Sequence, residues 1–273
     1  MKGWIFSFLG FPITTILGVS VVWFVYEQVD RFERFEPPIV ESIRADYADL
    51  PAIVTEIDAE FDSNIEYAKK LKAKLLEASD FHSSEVPYKS GENWIGLYKN
   101  GDSYSLESTK IIVKNNGEAM YGTTVSTARA GETVFLLRGA RHLASGPIAT
   151  VYDDSDNDFD SYFGENPVKL YVFEGREYRL RLENSDNGYL RKGSQLVLES
   201  DGKRQLLRSL NDGCGDCGWS VEWVGDLDRD GKLDFYLDLN NHYNSSEPTL
   251  FLSTSAKEGK LLGIFAGFHV VGC

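Results

Sequence analysis

Four aspartates near the C-terminal end of the chain have the spacing of ligands for a hard cation. The residues Asp226, Asp228, Asp230, Gly231 and Asp234 give the pattern D-x-D-x-D-G-x-x-D. Carboxylates at alternate positions of a tight loop can all turn inward, and Ca²⁺ prefers a shell of such oxygen atoms. The glycine suits a sharp turn because it has no Cβ. The pattern therefore predicts a calcium site.

The segments on both sides of this loop alternate between apolar and polar residues, as strands do. Residues 219–224 precede it and residues 233–239 follow it. An EF-hand would need two flanking helices and a glutamate at position twelve, where this chain has Leu237. The EF-hand is therefore excluded. The loop instead resembles the calcium loop of FG-GAP and VCBS-type repeats, found in integrin α-subunit propellers, where it joins two strands.

This resemblance implies a set of calcium ligands. In that family the first, third, fifth and ninth side chains and the seventh carbonyl hold the ion, which here are Asp226, Asp228, Asp230, Asp234 and the carbonyl of Lys232. The side chain of Lys232 is expected to point to water. The resemblance occurs once, whereas a propeller needs several repeated blades. It therefore implies the loop and not the whole fold.

Charge and length limit the classes of function. The chain has 273 residues, enough for one good-sized domain with appendages. Its formal net charge is −14. Binding to nucleic acid needs clustered Lys and Arg, so the acidic balance excludes it as a partner. An acidic surface suits a compartment that contains calcium, and it equally serves solubility alone.

An uncharged N-terminal segment predicts a membrane anchor within residues 1–30. No charged residue occurs from Gly3 to Tyr26, and a helix of about 24 residues spans the hydrocarbon core of a bilayer. Lys2 precedes the segment and acidic residues follow it, which places the N-terminus in the cytoplasm and the rest outside. A cleaved signal peptide is the alternative, but the apolar run continues past its candidate site at Gly18 and Ser20. We expect a single-pass protein of the cell membrane whose C-terminal domain is periplasmic or extracellular.

Residues 31–82 are predicted to form a helical spacer. Apolar or small residues recur at three-four spacing, at Val54, Ile57, Phe61, Asn64, Ala68, Leu71 and Leu75. Acidic residues crowd the first half of this stretch and lysines the second, which complements the helix dipole. Two interpretations stay open. Residues 50–75 form a homo-oligomeric coiled coil, or the helix packs on the following domain.

Residues 83–273 are predicted to form an all-β domain, a sandwich or an irregular barrel. Short β-like runs alternate with turn signals such as Asn100-Gly101 and Asp201-Gly202. About ten such runs occur without a helical pattern between them. Trp219 and Trp223 are expected to pack in the core on one face of a strand.

The three cysteines allow several arrangements. Cys214 and Cys217 form a C-x-x-C motif, but they lack the βαβ setting of a thiol oxidoreductase. Zinc is disfavoured because no fourth ligand lies at a known spacing. A bridge from Cys273 to Cys214 or Cys217 closes a long loop and so stabilises the fold more than the vicinal pair does, and of these two the one to Cys214 is favoured. The bridge Cys214–Cys273 is therefore preferred, with the pair Cys214–Cys217 as its rival.

Other polar runs are weaker candidates for a site. Acidic residues alternate from Asp154 to Asp160 but lack the glycine of a calcium loop, so a solvated hairpin tip is favoured over a second metal site. His142 and His242 lie in loops that lack a hydrolase motif.

We therefore expect a calcium-stabilised, non-catalytic binding or scaffold protein of the cell envelope, with a protein partner there. The alternatives are an envelope hydrolase, a thiol oxidoreductase and a calcium sensor.

Overall fold

Antiparallel strands make up the part of the chain that the structure describes. The computed structural model describes residues 71–82, 84–117, 122–129, 132–154, 162–164, 166–212, 217–242 and 244–271. The predicted anchor and most of the predicted spacer lie outside these residues. Within them, no helix has the length and apolar character needed to cross a bilayer.

Eleven strands form one large sheet. They are β1 (Lys74–Leu76), β2 (Asp80–Phe81), β3 (Asn93–Asn100), β4 (Ser103–Asn115), β5 (Thr123–Thr127), β6 (Glu132–Arg138), β7 (Gly146–Asp153), β12 (Ser220–Asp226), β13 (Asp234–Asp238), β15 (Pro248–Leu252) and β16 (Gly263–Gly267). Its main path runs β1-β6-β3-β4-β7-β12-β13-β15-β16, and β2 and β5 extend it beside β4. The first strand of this path also contacts the last two. The sheet therefore curls into a nearly closed barrel.

Two smaller sheets complete the described part of the chain. Four strands form the first, in the order β11-β10-β9-β8: β8 (Val168–Phe173), β9 (Arg176–Glu183), β10 (Gln195–Ser200) and β11 (Lys203–Ser209). Two short strands form the second: β14 (Ser245–Ser246) and β17 (Val270–Val271). The all-β prediction is therefore confirmed for the described residues.

The strands β12 and β13 lie between two apolar cores. Side chains on one face, including Val221 and Phe235, pack with those of the four-stranded sheet. Side chains on the other face, including Trp223 and Tyr236, pack inside the barrel. This hairpin is buried on both sides, so the loop at its tip is held by both cores.

A β-bulge in β12 corrects one sequence prediction. The register between β12 and β13 shifts between Val221 and Trp223, so one extra residue, Glu222, lies in the strand. Trp219 therefore packs with the four-stranded sheet while Trp223 packs inside the barrel. Both side chains are buried as expected, but they lie on opposite faces and not on one.

The end of the predicted helical spacer is also corrected. Lys74–Leu76 form a strand that pairs antiparallel with β6, and Asp80–Phe81 form another that pairs with β5. Leu75 and Leu76 are completely buried in this arrangement. A strand side chain alternates between faces, so both leucines can enter a core, one in the barrel and one beside Phe81. Burial of both residues outweighs the helical pattern here.

Candidate metal centre

The acidic loop is the tip of the β12–β13 hairpin. Asp226 ends β12 and Asp234 begins β13, so the loop joins two strands as predicted. Leu227 and Leu233, just inside the loop, are both completely buried, the first in the barrel core and the second in the core against the four-stranded sheet. These two leucines anchor the ends of the loop and leave the acidic residues at its turn.

Three of the four predicted aspartates come together. Asp226, Asp228 and Asp234 each offer one carboxylate oxygen, and these oxygens all lie within 4.8 Å of one another. Asp226 is 7% exposed and Asp234 is fully buried. Carboxylates so close together repel one another, and a divalent cation among them would neutralise that repulsion. An all-oxygen donor set of this kind suits Ca²⁺.

Hydrogen bonds from the backbone fix two of these carboxylates. Asp226 accepts the backbone N–H groups of Asp230 and Gly231, each at 3.0 Å. Asp234 accepts those of Leu227 and Ser253, each at 2.8 Å. Each carboxylate oxygen has a second lone pair, so these bonds orient the side chains and leave acceptor capacity for a cation.

The third carboxylate has an uncompensated oxygen. One oxygen of Asp228 accepts the hydroxyl hydrogen of Thr254. The other, Oδ1, is buried and has no hydrogen-bond partner among the described residues. Leaving a buried acceptor unsatisfied costs about 1–3 kcal/mol, and more for a charged group. The donor set therefore fits a cation, which would supply the missing partner.

Asp230 and Lys232 contact each other, and Asp230 also contacts the loop after β15. The carboxylate of Asp230 accepts the Ser253 hydroxyl at 2.7 Å and lies 3.0 Å from Nζ of Lys232. Burial alone would raise the pKa of Asp230, but the hydrogen bonds from Ser253 and Lys232 outweigh it and lower that pKa. The Lys232 side chain is exposed as expected, yet it forms an ion pair instead of extending freely into water. Asp230 thus lies outside the cluster of three carboxylates.

Burial dominates the electrostatics of the cluster. Desolvation raises the pKa of Asp226 and raises that of Asp234 well above its ordinary value. The negative charge of Asp228 raises both further. A bound divalent cation would favour the ionised forms and so reverse these shifts. Metal binding at this loop should therefore release protons.

A second loop, just after β15, completes the surroundings of the cluster. Ser253 and Thr254 contact three of the four aspartates through one backbone N–H and two hydroxyl groups. Their loop is held by Gln205, whose side-chain oxygen accepts the backbone N–H groups of Leu261 and Leu262. These residues were not predicted from the sequence. The signal that could have identified Ser253 and Thr254 is that they are polar and directly follow a buried strand.

Arg229 ties the acidic loop to a neighbouring loop of the barrel. It has a positive φ of 61°, uncommon for a residue other than glycine. Its guanidinium donates to the carbonyl oxygens of Ala144 at 2.8 Å and Pro147 at 3.1 Å. The two neighbours of Arg229 in the chain, Asp228 and Asp230, accept hydrogen bonds from Thr254 and Ser253. The fixed turn helps to keep them in that position.

Gly231 is a position where a side chain would strain the loop. Its φ is +81°, and a Cβ there would lie 3.2 Å from a carboxylate oxygen of Glu174 in the β8–β9 turn. We expect Gly231→Ala to lower the free energy of unfolding by about 1–3 kcal/mol, because it adds backbone strain and a close contact. Chemical denaturation followed by tryptophan fluorescence measures this loss.

Gly259 provides the matched control for that substitution. It has a φ of +82°, and no atom lies within 4 Å of the position that an added Cβ would take. Gly259→Ala should therefore show the backbone strain alone. Equal losses in the two variants would mean that the Glu174 contact has no energetic effect.

The remaining sequence candidates have other surroundings. His142 is exposed and packs edge-on against Phe265, with ring centroids 5.2 Å apart. Nδ1 of His242 accepts the backbone N–H of Asn244 at 3.2 Å, within its own loop. The acidic run that follows Asp154 lies outside the described residues.

Cys217 is buried in the core against the four-stranded sheet and is disulfide-bonded. Which of Cys214 and Cys273 it pairs with stays open. The partner of Cys217 lies outside the described residues.

The chain matches no protein-family model, no curated protein and no solved structure, so the acidic hairpin loop and its surroundings are what its function must be argued from.

Proposed function

We propose that this chain is a membrane-anchored, extracytoplasmic binding or scaffold protein whose β domain is stabilised by Ca²⁺ at the acidic hairpin loop. The observation that carries this proposal is the set of three carboxylates that converge within 4.8 Å. The buried, uncompensated Oδ1 of Asp228 supports it further. A cation bound there would neutralise the repulsion between the carboxylates and pair with this oxygen.

The surroundings of the cluster favour a structural role for the ion. Asp226 and Asp234 belong to the two strands of one hairpin, while Thr254 brings in the loop after β15. Both ends of the acidic loop are buried leucines, so a cation would tie together elements that already contact two cores. Loops of this kind in extracellular modules bind Ca²⁺ with dissociation constants of about 10⁻⁴–10⁻³ M. At millimolar calcium this contributes roughly 0.5–1.5 kcal/mol.

The sequence supplies the cellular setting of the proposal. The uncharged segment from Gly3 to Tyr26 would anchor the chain, with the N-terminus in the cytoplasm and the β domain in the periplasm or outside the cell. Residues 50–75 would separate the domain from the membrane, as a spacer or as a homo-oligomeric coiled coil. A protein partner in the envelope follows from the scaffold role.

Thermal unfolding of the full chain in non-ionic detergent tests the calcium proposal. We expect 2 mM CaCl₂ to raise the Tm by about 1–5 °C relative to EGTA. Asp228→Asn should abolish this difference, because it removes the charge of a ligand that receives no backbone hydrogen bond from the described residues. Asp102→Asn, in the exposed β3–β4 turn, is the matched control and should leave the difference intact.

Two results would decide against the proposal or redirect it. Identical melting curves with calcium and with EGTA would contradict a stabilising ion. A large change in shape on chelation, seen in small-angle scattering, would favour the calcium sensor instead, because a structural site changes stability and not shape.

A further inference from the structure

A large groove lies apart from the acidic loop. It has a volume of about 1020 Å³ and is formed by the start of β1, the end of β6, the segment after β2 and the turn between β16 and β17. None of its lining residues belongs to residues 226–234. Pockets that bind small molecules have volumes of about 300–1,000 Å³, so the groove is large enough for such a ligand.

Three basic side chains line this groove. Lys72, Lys74 and Arg138 line it, whereas the chain as a whole has a net charge of −14. Lys74 and Arg138 are direct cross-strand partners in the β1–β6 pair. Like charges directly opposite each other in a sheet are unfavourable. Nζ of Lys74 also donates to the backbone carbonyl oxygen of Leu71 at 2.7 Å, and an anion bound beside the pair would reduce the remaining repulsion.

Glu85, the one carboxylate among the described residues that line the groove, is already engaged by the backbone. One oxygen of Glu85 accepts the N–H of His82 at 2.9 Å, and the other accepts the N–H of Val271 at 2.8 Å. Glu85 therefore connects the segment after β2 to β17.

Two of the basic residues differ in their surroundings. The guanidinium of Arg138 also forms an ion pair with the carboxylate of Glu92, with 2.7 Å between Nη1 and Oε2, on the exposed side of the sheet. Lys72 is exposed, so its charge is directed to solvent and to any ligand that enters.

Aromatic side chains give the groove rigid apolar walls. Tyr88 packs edge-on against Trp94 with ring centroids 4.8 Å apart, and Phe268 packs in the same way against Phe81 at 5.6 Å. Trp94 and Phe81 are buried in the core beside the groove, so both walls are held from behind. The guanidinium of Arg138 also lies 5.8 Å from the centre of the Tyr88 ring. Cationic and aromatic groups thus occur side by side.

We propose that this groove binds a small organic anion with an apolar or aromatic body. The negative group would lie against Lys72, Lys74 and Arg138, and the apolar body against Tyr88 and Phe268. Charge-assisted hydrogen bonds would fix the negative end, and burial against the aromatic walls would hold the rest. This inference does not depend on the calcium loop.

Calorimetric titration of 2-naphthoate into the full chain, in nanodiscs of zwitterionic lipid, tests the proposal. Empty nanodiscs provide the blank. The cationic counterpart 2-naphthylmethylammonium has the same ring system and should bind at least about tenfold more weakly, since it meets the basic side chains with the wrong charge. The double variant Lys72→Gln/Arg138→Gln should lose at least about tenfold in affinity for 2-naphthoate.

A control of equal charge separates the groove from the general field of the protein. Lys110→Gln/Arg141→Gln removes two exposed cations outside the groove and should change affinity by less than about twofold. Asp228→Asn should likewise leave 2-naphthoate binding unchanged, so a failure of the calcium site and a failure of the groove are distinguishable. An equal loss in both double variants, equal affinity for the two naphthyl compounds, or no binding of 2-naphthoate would overturn the proposal.

Discussion

Replacing Asp234 by alanine is expected to lower the free energy of unfolding by about 2–5 kcal/mol, in EGTA as well as in calcium. The side chain is fully buried and accepts the backbone N–H groups of Leu227 and Ser253, each at 2.8 Å. Its loss would leave two buried donors without partners and detach the acidic loop from the loop after β15. The effect arises from the hydrogen bonds of the protein itself, so it does not require a metal.

Chemical denaturation followed by tryptophan fluorescence measures this effect, because Trp223 is buried in the strand that leads into the loop and Trp219 is buried just before that strand. Asp228→Asn serves as the comparison, since it should remove calcium dependence with little loss of stability in EGTA. A loss below about 1 kcal/mol for Asp234→Ala in EGTA would show that these two hydrogen bonds do not hold the loops together.

The second large effect concerns Glu222, the extra residue of the bulge in β12. The pKa of its carboxyl is raised from 4.5 to about 7, chiefly by burial and further by the charges of Asp238, Asp154 and Glu77, against a hydrogen bond from Ser220 that lowers it. Below about pH 4.5 the group is protonated in both the folded and the unfolded chain. As the pH rises to about 7 the unfolded chain loses this proton first, so stability falls. A shift of this size corresponds to about 3 kcal/mol.

Glu222→Gln should therefore stabilise the domain at high pH. The amide resembles the protonated acid, so we expect a gain of about 1–3 kcal/mol at pH 8 and less than about 0.5 kcal/mol at pH 4.5. Urea denaturation in EGTA at the two pH values measures the difference. Glu258→Gln, in an exposed turn, is the control and should show no gain at either pH. A gain that is the same at pH 4.5 and pH 8 would contradict titration of Glu222.

Other buried carboxyls should act in the same direction. Burial raises the pKa of Glu77, which accepts the hydroxyl hydrogen of Tyr236 inside the barrel, and burial also raises that of Asp238. Each of these groups favours folding while it is protonated, and the contribution is lost as the pH rises through its raised pKa. In EGTA the domain should consequently be less stable at pH 8 than at pH 5.

The strands were predictable because their pattern and their turns agree. The runs around Trp94 and Lys110 and those on both sides of Asp201-Gly202 lie in strands as predicted. Asp201 has a φ of 50° and Gly202 one of 69°, the left-handed conformations that this pair of residues tolerates well. The loop between β12 and β13 was identified for a similar reason, since its aspartates and glycine are local in sequence.

Features that depend on distant parts of the chain were not predictable. The bulge at Glu222 reverses the face on which Trp223 packs, although the alternation of residue types suggests no break. Lys74–Leu76 fit a helical pattern, but pairing with β6 makes them a strand. The hydrogen bond that Asp230 accepts from Ser253, 23 residues away, likewise has no signal in the local pattern. In each case a tertiary contact decides between local alternatives.

Calorimetric titration of Ca²⁺ into the metal-free full chain tests the central claim most directly. The account predicts one ion per chain at the acidic loop, with a dissociation constant of about 10⁻⁴–10⁻³ M, and with proton release that grows as the pH falls. Asp228→Asn should weaken this binding at least about tenfold, while Asp102→Asn should leave it unchanged. Absence of binding at millimolar calcium, or equal binding by the wild-type chain and Asp228→Asn, would contradict the account.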